Sequence, residues 1–376
     1  MKRVIEYFKK ELMLAVSLTA ALLSFFITPP SVALLTAIDW KTLATLLMLL
    51  SVLDGFKTEN LFRPVIRLAA KLKTQLGLSF FLIFAVFFSS MFVTNDVSLI
   101  IFVPLTILLF RAGGKETYTI PVLVLENIAA VRGSLLTPFG SPQNLFLYGK
   151  SGMSTGAFLW MMLPLWIGSI ILLAIFILGL YRKNLSEQVL VDAANTGMEW
   201  DPARRGKRIL YLGLFALILF TIVSRTGLWP WITLFVMGML FIFDRPVFGR
   251  VDYVLLATFL CFFIFSSSLS ANEAIAGFLM ASVADHEYIW SILLSQVISN
   301  VPASIVLWPF TNDLKALIYG LDTAGLVSVI GSLASVINMR LYTREYPGKG
   351  GTFMLDFEKI SLLFFAVVFP LQWLLL

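Results

Sequence analysis

Charge is scarce in this chain. Only 13% of its 376 residues are Asp, Glu, Lys or Arg, where a soluble protein carries about 25%. That shortfall excludes an ordinary water-soluble domain, because long stretches of the chain never meet water. Cysteine is nearly absent too. The single Cys261 excludes an intramolecular disulfide framework and a cysteine metal site. The single His286 excludes a His-pair zinc site. No Gly-x-Ser-x-Gly elbow, His–Glu metal motif or convincing acid pair stands out, so no enzyme is expected. What fills the chain is apolar: 59% of residues are hydrophobic and the mean hydropathy is +0.90.

A membrane helix needs about 20 apolar residues to cross a hydrocarbon core of about 30 Å. Apolar segments run over 12–28, 40–54, 76–110, 117–133, 155–181, 209–223, 228–243, 251–269, 288–310, 316–339 and 357–376. They predict an all-α integral membrane protein of about ten membrane segments. Segment 76–110 holds one charge, Asp96, and as a straight helix it would reach about 52 Å. Tilt absorbs such an excess poorly, so the chain is expected to turn back at Thr94-Asn95-Asp96, the only polar cluster in the run.

The basic residues set an orientation. The N-terminus, with Lys2, Arg3, Lys9 and Lys10, is placed in the cytoplasm, and 76–110 and 288–310 are re-entrant hairpins. Then 23 of the 28 Lys and Arg face the cytoplasm, and only Lys41, Lys150, Arg225 and Lys315 face outward. Arg132 stays in the membrane. The net charge of +6 is thus explained by the lipid bilayer, without nucleic acid. Residues 182–208 read as a cytoplasmic linker between a first repeat, 1–181, and a second, 209–376, with the C-terminus outside. The first repeat holds the hairpin near 76–110 and a broken helix near 117–150. The second holds the hairpin near 288–310 and a broken helix near 316–340.

The two parts echo each other. Thr94-Asn95-Asp96-Val97-Ser98 compares with Ser299-Asn300-Val301-Pro302-Ala303, and Pro104 and Pro309 each follow the Asn by nine residues. Thr137-Pro138-Phe139-Gly140-Ser141-Pro142 compares with Ser328-Val329-Ile330-Gly331-Ser332-Leu333. In the topology above one hairpin enters from each side. That is an inverted repeat, a common plan among secondary transporters.

Non-helical backbone survives at membrane depth only inside protein or around a wet cavity. The breaks therefore point to binding. Thr94, Asn95, Asp96, Ser299 and Asn300 offer hydroxyl and carbonyl oxygens of the kind hard cations prefer, and a Na⁺ is expected near Asn95, Asp96 and Asn300. Helix ends left by the second pair of breaks, at Thr137, Gly140, Ser141 and Asn144 and at Gly331 and Ser332, present N–H groups to an anion or carbonyls to a cation. An extramembrane turn is the plainer alternative for 137–144. Asp96, Glu126 and Arg132 are the ionisable residues placed in the membrane, each costly unless paired. Glu126 and Arg132 are candidate charge partners, Arg132 for Asp96 or for an anionic substrate. Ser266 to Ser270 offers a polar path or close helix packing. Trp160, Trp229, Trp231 and Trp373 suit an interfacial belt. Asn272-Glu273 and Asp285 are expected in a short outer turn, with His286 solvated.

With these residues in view, the strings Phe92-Val93-Thr94-Asn95-Asp96-Val97 and Leu136-Thr137-Pro138-Phe139-Gly140-Ser141-Pro142-Gln143-Asn144 resemble the ion transporter superfamily. That group holds citrate-transporter-like permeases, arsenite permeases, NhaD-type sodium/proton antiporters and divalent anion/sodium symporters. Ser299-Asn300-Val301-Pro302-Ala303 and Ile330-Gly331-Ser332-Leu333-Ala334 resemble its second-half motifs, so the likeness covers nearly the whole chain. It implies a scaffold, a mobile transport domain moving like an elevator, and a homodimer. The implied function is Na⁺- or H⁺-coupled transport of a small anion such as a carboxylate or oxyanion in the inner membrane, with no cofactor beyond the coupling ion. A sodium/proton antiporter or an arsenite-type efflux permease is the alternative. Dicarboxylate carriers have a Ser-Asn-Thr type motif in each half. Here Asp96 and Val301 stand at the third position, which resembles the arsenite and antiporter branch more.

Overall fold

The computed structural model describes residues 12–61, 64, 68, 69, 71–182 and 202–376. Lys2, Arg3, Lys9, Lys10, Arg63, Arg67 and Lys183, which entered the charge count, lie outside the described residues, as does 183–201 of the expected linker.

The regular elements among the described residues are helices. They are α1 (Leu12–Ser24), α2 (Val32–Thr36), α3 (Trp40–Thr58), α4 (Gln75–Val93), α5 (Asn95–Ala112), α6 (Thr119–Gly133), α7 (Pro142–Ser151) and α8 (Thr155–Leu180). Then come α9 (Arg205–Ser224), α10 (Trp229–Phe243), α11 (Tyr253–Ala271), α12 (Glu273–Val283), α13 (Glu287–Ile298), α14 (Asn300–Leu307), α15 (Leu314–Ala324), α16 (Leu333–Glu345) and α17 (Gly350–Leu375). Short polar residues start many of them, because the first N–H groups of a helix need acceptors. Asp39 accepts from the Thr42 amide at 3.0 Å, Asp252 from Leu255 at 2.9 Å and Asp313 from Ala316 at 3.0 Å.

Six helical stretches among the described residues are long and apolar enough to cross a membrane: Gln75–Val93, Asn95–Ala112, Glu116–Leu136, Thr155–Leu180, Arg205–Ser224 and Tyr253–Ala271. Large apolar side chains point outward from the bundle, Phe26 at 89% exposure and Trp160 at 74% among them. In water such a surface would associate; in a bilayer it is the lipid face. Trp231 and Trp373 are likewise exposed. Where a short outer turn was expected near Asn272, the structure has α12 instead. Asn272 caps that helix by accepting from the Ile275 amide at 3.1 Å. Eleven residues is too short to register as a span, which is why hydropathy passed over it. Glu287 is buried rather than solvated beside His286, and its Oε1 accepts from the Asn312 and Asp313 amides.

Both large apolar clusters draw residues from both sides of the linker. The packing is reciprocal: α5 lies on α16, and α14 lies on α7. At the ends of α3, α9 and α10 a clamp also joins early and late helices. Gly55 lets the Tyr211 ring approach so closely that an added Cβ would sit 2.0 Å from it. The Tyr211 hydroxyl then donates to Asp244 at 2.7 Å, and Arg250 reaches Asp54 at 2.6 Å.

Candidate functional site

Helices α4 and α5 are separated by one residue. Thr94 has φ 70° and ψ 155°, a region that is nearly glycine-only. The kink folds the chain back, and Ser89 and Ser98 share a hydrogen bond of 2.9 Å across it. The bend expected at Thr94-Asn95-Asp96 is therefore present. Helices α13 and α14 meet in the same way at Ser299, with φ 69° and ψ 157°. Two non-glycine residues thus hold nearly one strained conformation, each at a cost of about 1–3 kcal/mol.

Each bend faces an interrupted helix. Between α6 and α7 the chain leaves the helix over 134–141, and between α15 and α16 it leaves over 325–332. Gly140 and Gly331 fit these breaks for the same steric reason. A Cβ at Gly140 would lie 2.2 Å from the Ser134 carbonyl oxygen, and one at Gly331 would lie 2.2 Å from that of Ala324. The next residue is extended in both cases, Ser141 at φ −147° and ψ 152° and Ser332 at φ −143° and ψ 139°. The first bend is tied to its break by the Asn95 amide donating to the Gly140 carbonyl at 3.1 Å, and by Thr137 Oγ1 donating to the Met91 carbonyl at 2.5 Å. The second is tied by Asn300 Nδ2 donating to the Leu321 carbonyl at 3.3 Å, and by Gln296 Nε2 donating to Ala324 at 3.1 Å.

A cavity of about 460 Å³ opens beside the first bend. Thr94, Asp96 and Ser141 line it, facing Leu46, Leu49 and Leu53 of α3. Lys57, Arg250, Arg340, Asp54 and Asp252 also line it. Asp96 Oδ1 is buried without a hydrogen-bond partner. A second cavity, of about 380 Å³, lies near Lys150, Ser266, Ser267, Ser270 and Trp308, and neither Ser299 nor Asn300 lines it. The serines do line a cavity wall, while Ser266 also donates to the Ile305 carbonyl at 2.8 Å.

The charge partners differ from those expected. Arg132 does not pair with Asp96. Its Nε donates to Ser169 at 2.9 Å, Nη1 is buried without a partner, and the carboxylate near enough to feel its charge is Asp322. The acid near Asp96 is Asp252. Glu126 pairs with neither; its Oε1 accepts from Thr106 at 2.5 Å. The side-chain directions of α5, α6 and α15 decide this, and sequence spacing does not reveal them.

Asp322 and Gln143 escaped the sequence reading. Asp322 sits in α15, fully buried, and accepts from Gln143 Nε2 at 3.1 Å and from Asn144 Nδ2 at 3.3 Å. A carboxylate inside the apolar run 316–339 was the available sign, since such residues are functional by default in membranes. Among the described residues no group of three or more His, Cys, Asp or Glu is placed to hold a metal ion.

Apolar spans enclosing strained, polar breaks define a multi-pass membrane protein with a buried polar interior. The profile of the citrate transporter family matches residues 4–341. The inner membrane protein YbiR of Escherichia coli strain K12 is 33% identical over 331 residues, 85% of this chain and 84% of that relative. The uncharacterized transporter MJ0456 of Methanocaldococcus jannaschii is 30% identical over 305 residues, 81% of each chain. The chain belongs to the citrate transporter family, and it is a membrane transporter.

Proposed function

We propose that this protein is a secondary active transporter that couples Na⁺ or H⁺ to the movement of a small anion, a carboxylate or an oxyanion, by alternating access. The observation that carries the reading is the matched pair of kinks at Thr94 and Ser299, each tied to a break ending in Gly140-Ser141 or Gly331-Ser332. We read 1–181 and 209–376 as two inverted repeats and the hairpins with their interrupted helices as the mobile part. The coupling cation binds at Thr94, Asn95 and Asp96, and Ser299 and Asn300 complete the site from the other half. Helix termini at Ser141 and Ser332 offer N–H groups to the anion. Lys57, Arg250 and Arg340 fall on the cytoplasmic side by the basic-residue rule. The cavity beside Asp96 is then the inward-open access path.

A second reading has its own support. Three acids line the cavity; Asp54 is held by Arg250, which leaves Asp96 and Asp252, and these two favour a cation as the transported species, as in a sodium/proton antiporter.

A thermal-shift screen of the purified protein separates the two. Citrate, succinate, arsenite, phosphate and sulfate are tested with and without Na⁺ at two pH values. A ligand at 100 times its Kd stabilises by about 2.7 kcal/mol. The anion reading expects one anion to raise the melting point, more so with Na⁺ or at low pH. Shifts from Na⁺ or pH alone, with every anion inert, would replace it with the antiporter.

A further inference from the structure

Away from the open cavity, α7 and α15 cross at a polar cluster that the function above leaves unused. Asp322 is fully buried, and the groups holding its two carboxylate oxygens are the neutral side-chain amides of Gln143 and Asn144. The amide oxygens, Gln143 Oε1 and Asn144 Oδ1, are themselves buried without a partner. Arg132 lies near enough to interact with Asp322, yet no Arg132–Asp322 ion pair within 4 Å forms among the described residues, and Arg132 Nη1 is also unpartnered. A stability role alone explains this poorly, since each buried acceptor left idle keeps its desolvation cost without a bond to offset it.

We propose that Asp322, Gln143 and Asn144 form a binding site for a small monovalent cation of the Na⁺ class, separate from the one at Asp96. The terminal torsion of an Asn or Gln amide is broad and roughly two-fold. A half-turn of each amide replaces its N–H with its oxygen and brings two carbonyl oxygens beside the carboxylate. Carboxylate and carbonyl oxygens are the ligands hard cations take. Charge limits the valence: Asp322 is the single carboxylate of the cluster, so it balances one positive charge at a time, and an ion that binds takes the place of Arg132 as its counter-charge. Arg132 balances Asp322 when the amides face it with N–H, which makes a lone carboxylate tolerable at this depth. Location sets the consequence. Asp322 follows Leu321, whose carbonyl holds Asn300, while Gln143 and Asn144 follow Ser141 in the other break. A cation there fastens the two interrupted helices to each other and to the second hairpin.

This deepens the cation-coupled reading and rests on it only for the class of ligand. The test is ²²Na⁺ binding to the purified full chain by scintillation proximity, with Li⁺, K⁺ and choline as competitors. Wild type is expected to bind saturably. Asp322→Asn loses that component, and Asn144→Leu raises the half-saturating Na⁺ at least tenfold. Asp96→Asn keeps it. If Asp322→Asn elutes as aggregate, Asn144→Leu and Gln143→Leu decide alone. Unchanged half-saturation in Asp322→Asn, or in both amide variants, overturns the proposal, as does a wild type with no saturable Na⁺ binding. A signal removed by Asp96→Asn and left intact by Asp322→Asn overturns it while leaving the Asp96 site standing.

Discussion

The two bends share a backbone and differ in charge. Thr94 and Ser299 agree within about two degrees in both dihedrals, and a Cβ added at Gly140 or Gly331 would meet a backbone carbonyl oxygen at the same 2.2 Å. Yet the first bend puts Asp96 against a cavity, while the second has Val301 at that position and keeps its acid, Asp322, buried on the interrupted helix. The backbone explains where ions and substrate can be held: both bends expose N–H and C=O groups that a straight helix would hide. The side chains explain what each bend does with them. A carboxylate beside a cavity can exchange its partner with solvent, and one sealed between helices can do so only when those helices move.

The largest expected effect breaks the comparison at its charged end. Asp96→Asn should lower coupled transport roughly 100-fold, about 2.7 kcal/mol in barrier terms, with the melting point little changed. Rate and ion dependence in proteoliposomes check it. Wild-type behaviour would make Asp96 structural.

Gly140→Ala and Gly331→Ala sharpen the likeness. Each forces a Cβ onto a backbone carbonyl and should cost about 1–3 kcal/mol, read as matching drops in melting temperature. Tolerance at one site with loss at the other would show that the breaks are not equivalent. Relief of strain should act in the opposite direction. Thr94→Gly and Ser299→Gly should each stabilise slightly, because relief of about 1–3 kcal/mol of strain outweighs the cost of about 0.4–1 kcal/mol from glycine's extra unfolded-state freedom. Denaturation midpoints of the two variants check this, and a loss of stability at either would contradict the strain.

The smallest effect is expected at the clamp, away from both bends. Burial pushes the Asp244 carboxyl up, but the hydrogen bonds from Tyr211 and Lys207, with the charges of Lys207 and Arg250, outweigh it and leave it below its ordinary value. A depressed carboxyl stabilises the fold above its unfolded pKa and stops doing so as pH falls through the folded one. Lys207 is 37% exposed and Arg250 36%, so solvent screens both and Asp244→Asn should cost about 1 kcal/mol or less. The melting gap between variant and wild type should be present at neutral pH and should shrink below the ordinary carboxylate range. A gap that widens in acid would reverse the assignment.

Much of the polar framework was readable in the sequence. Polar residues interrupting apolar runs marked the bends at Thr94 and Ser299 and the breaks around Gly140 and Gly331, because such residues at depth have few other uses. Asp322 was hidden because one acid barely moves the mean hydropathy of a 24-residue run. Gln143 lay inside the 137–144 break, where Thr137, Gly140, Ser141 and Asn144 drew the attention and an amide one residue after Pro142 carried no signal of its own. The pairing of Gln143 and Asn144 with Asp322 spans nearly 180 positions, so only the crossing of α7 and α15 reveals it. The same holds for Arg132, whose neighbours come from α8 and α15 rather than from the bend it was expected to serve. Helix α12 was missed for its length alone.

Gradient-driven uptake into proteoliposomes tests the central claim most directly. The anion selected by thermal shift is supplied with an inward Na⁺ or proton gradient, for wild type and for Asp96→Asn. The account predicts that wild type concentrates the anion only while the gradient lasts and that Asp96→Asn does not. Uptake that ignores both gradients, or an Asp96→Asn protein that concentrates the anion as wild type does, would contradict it.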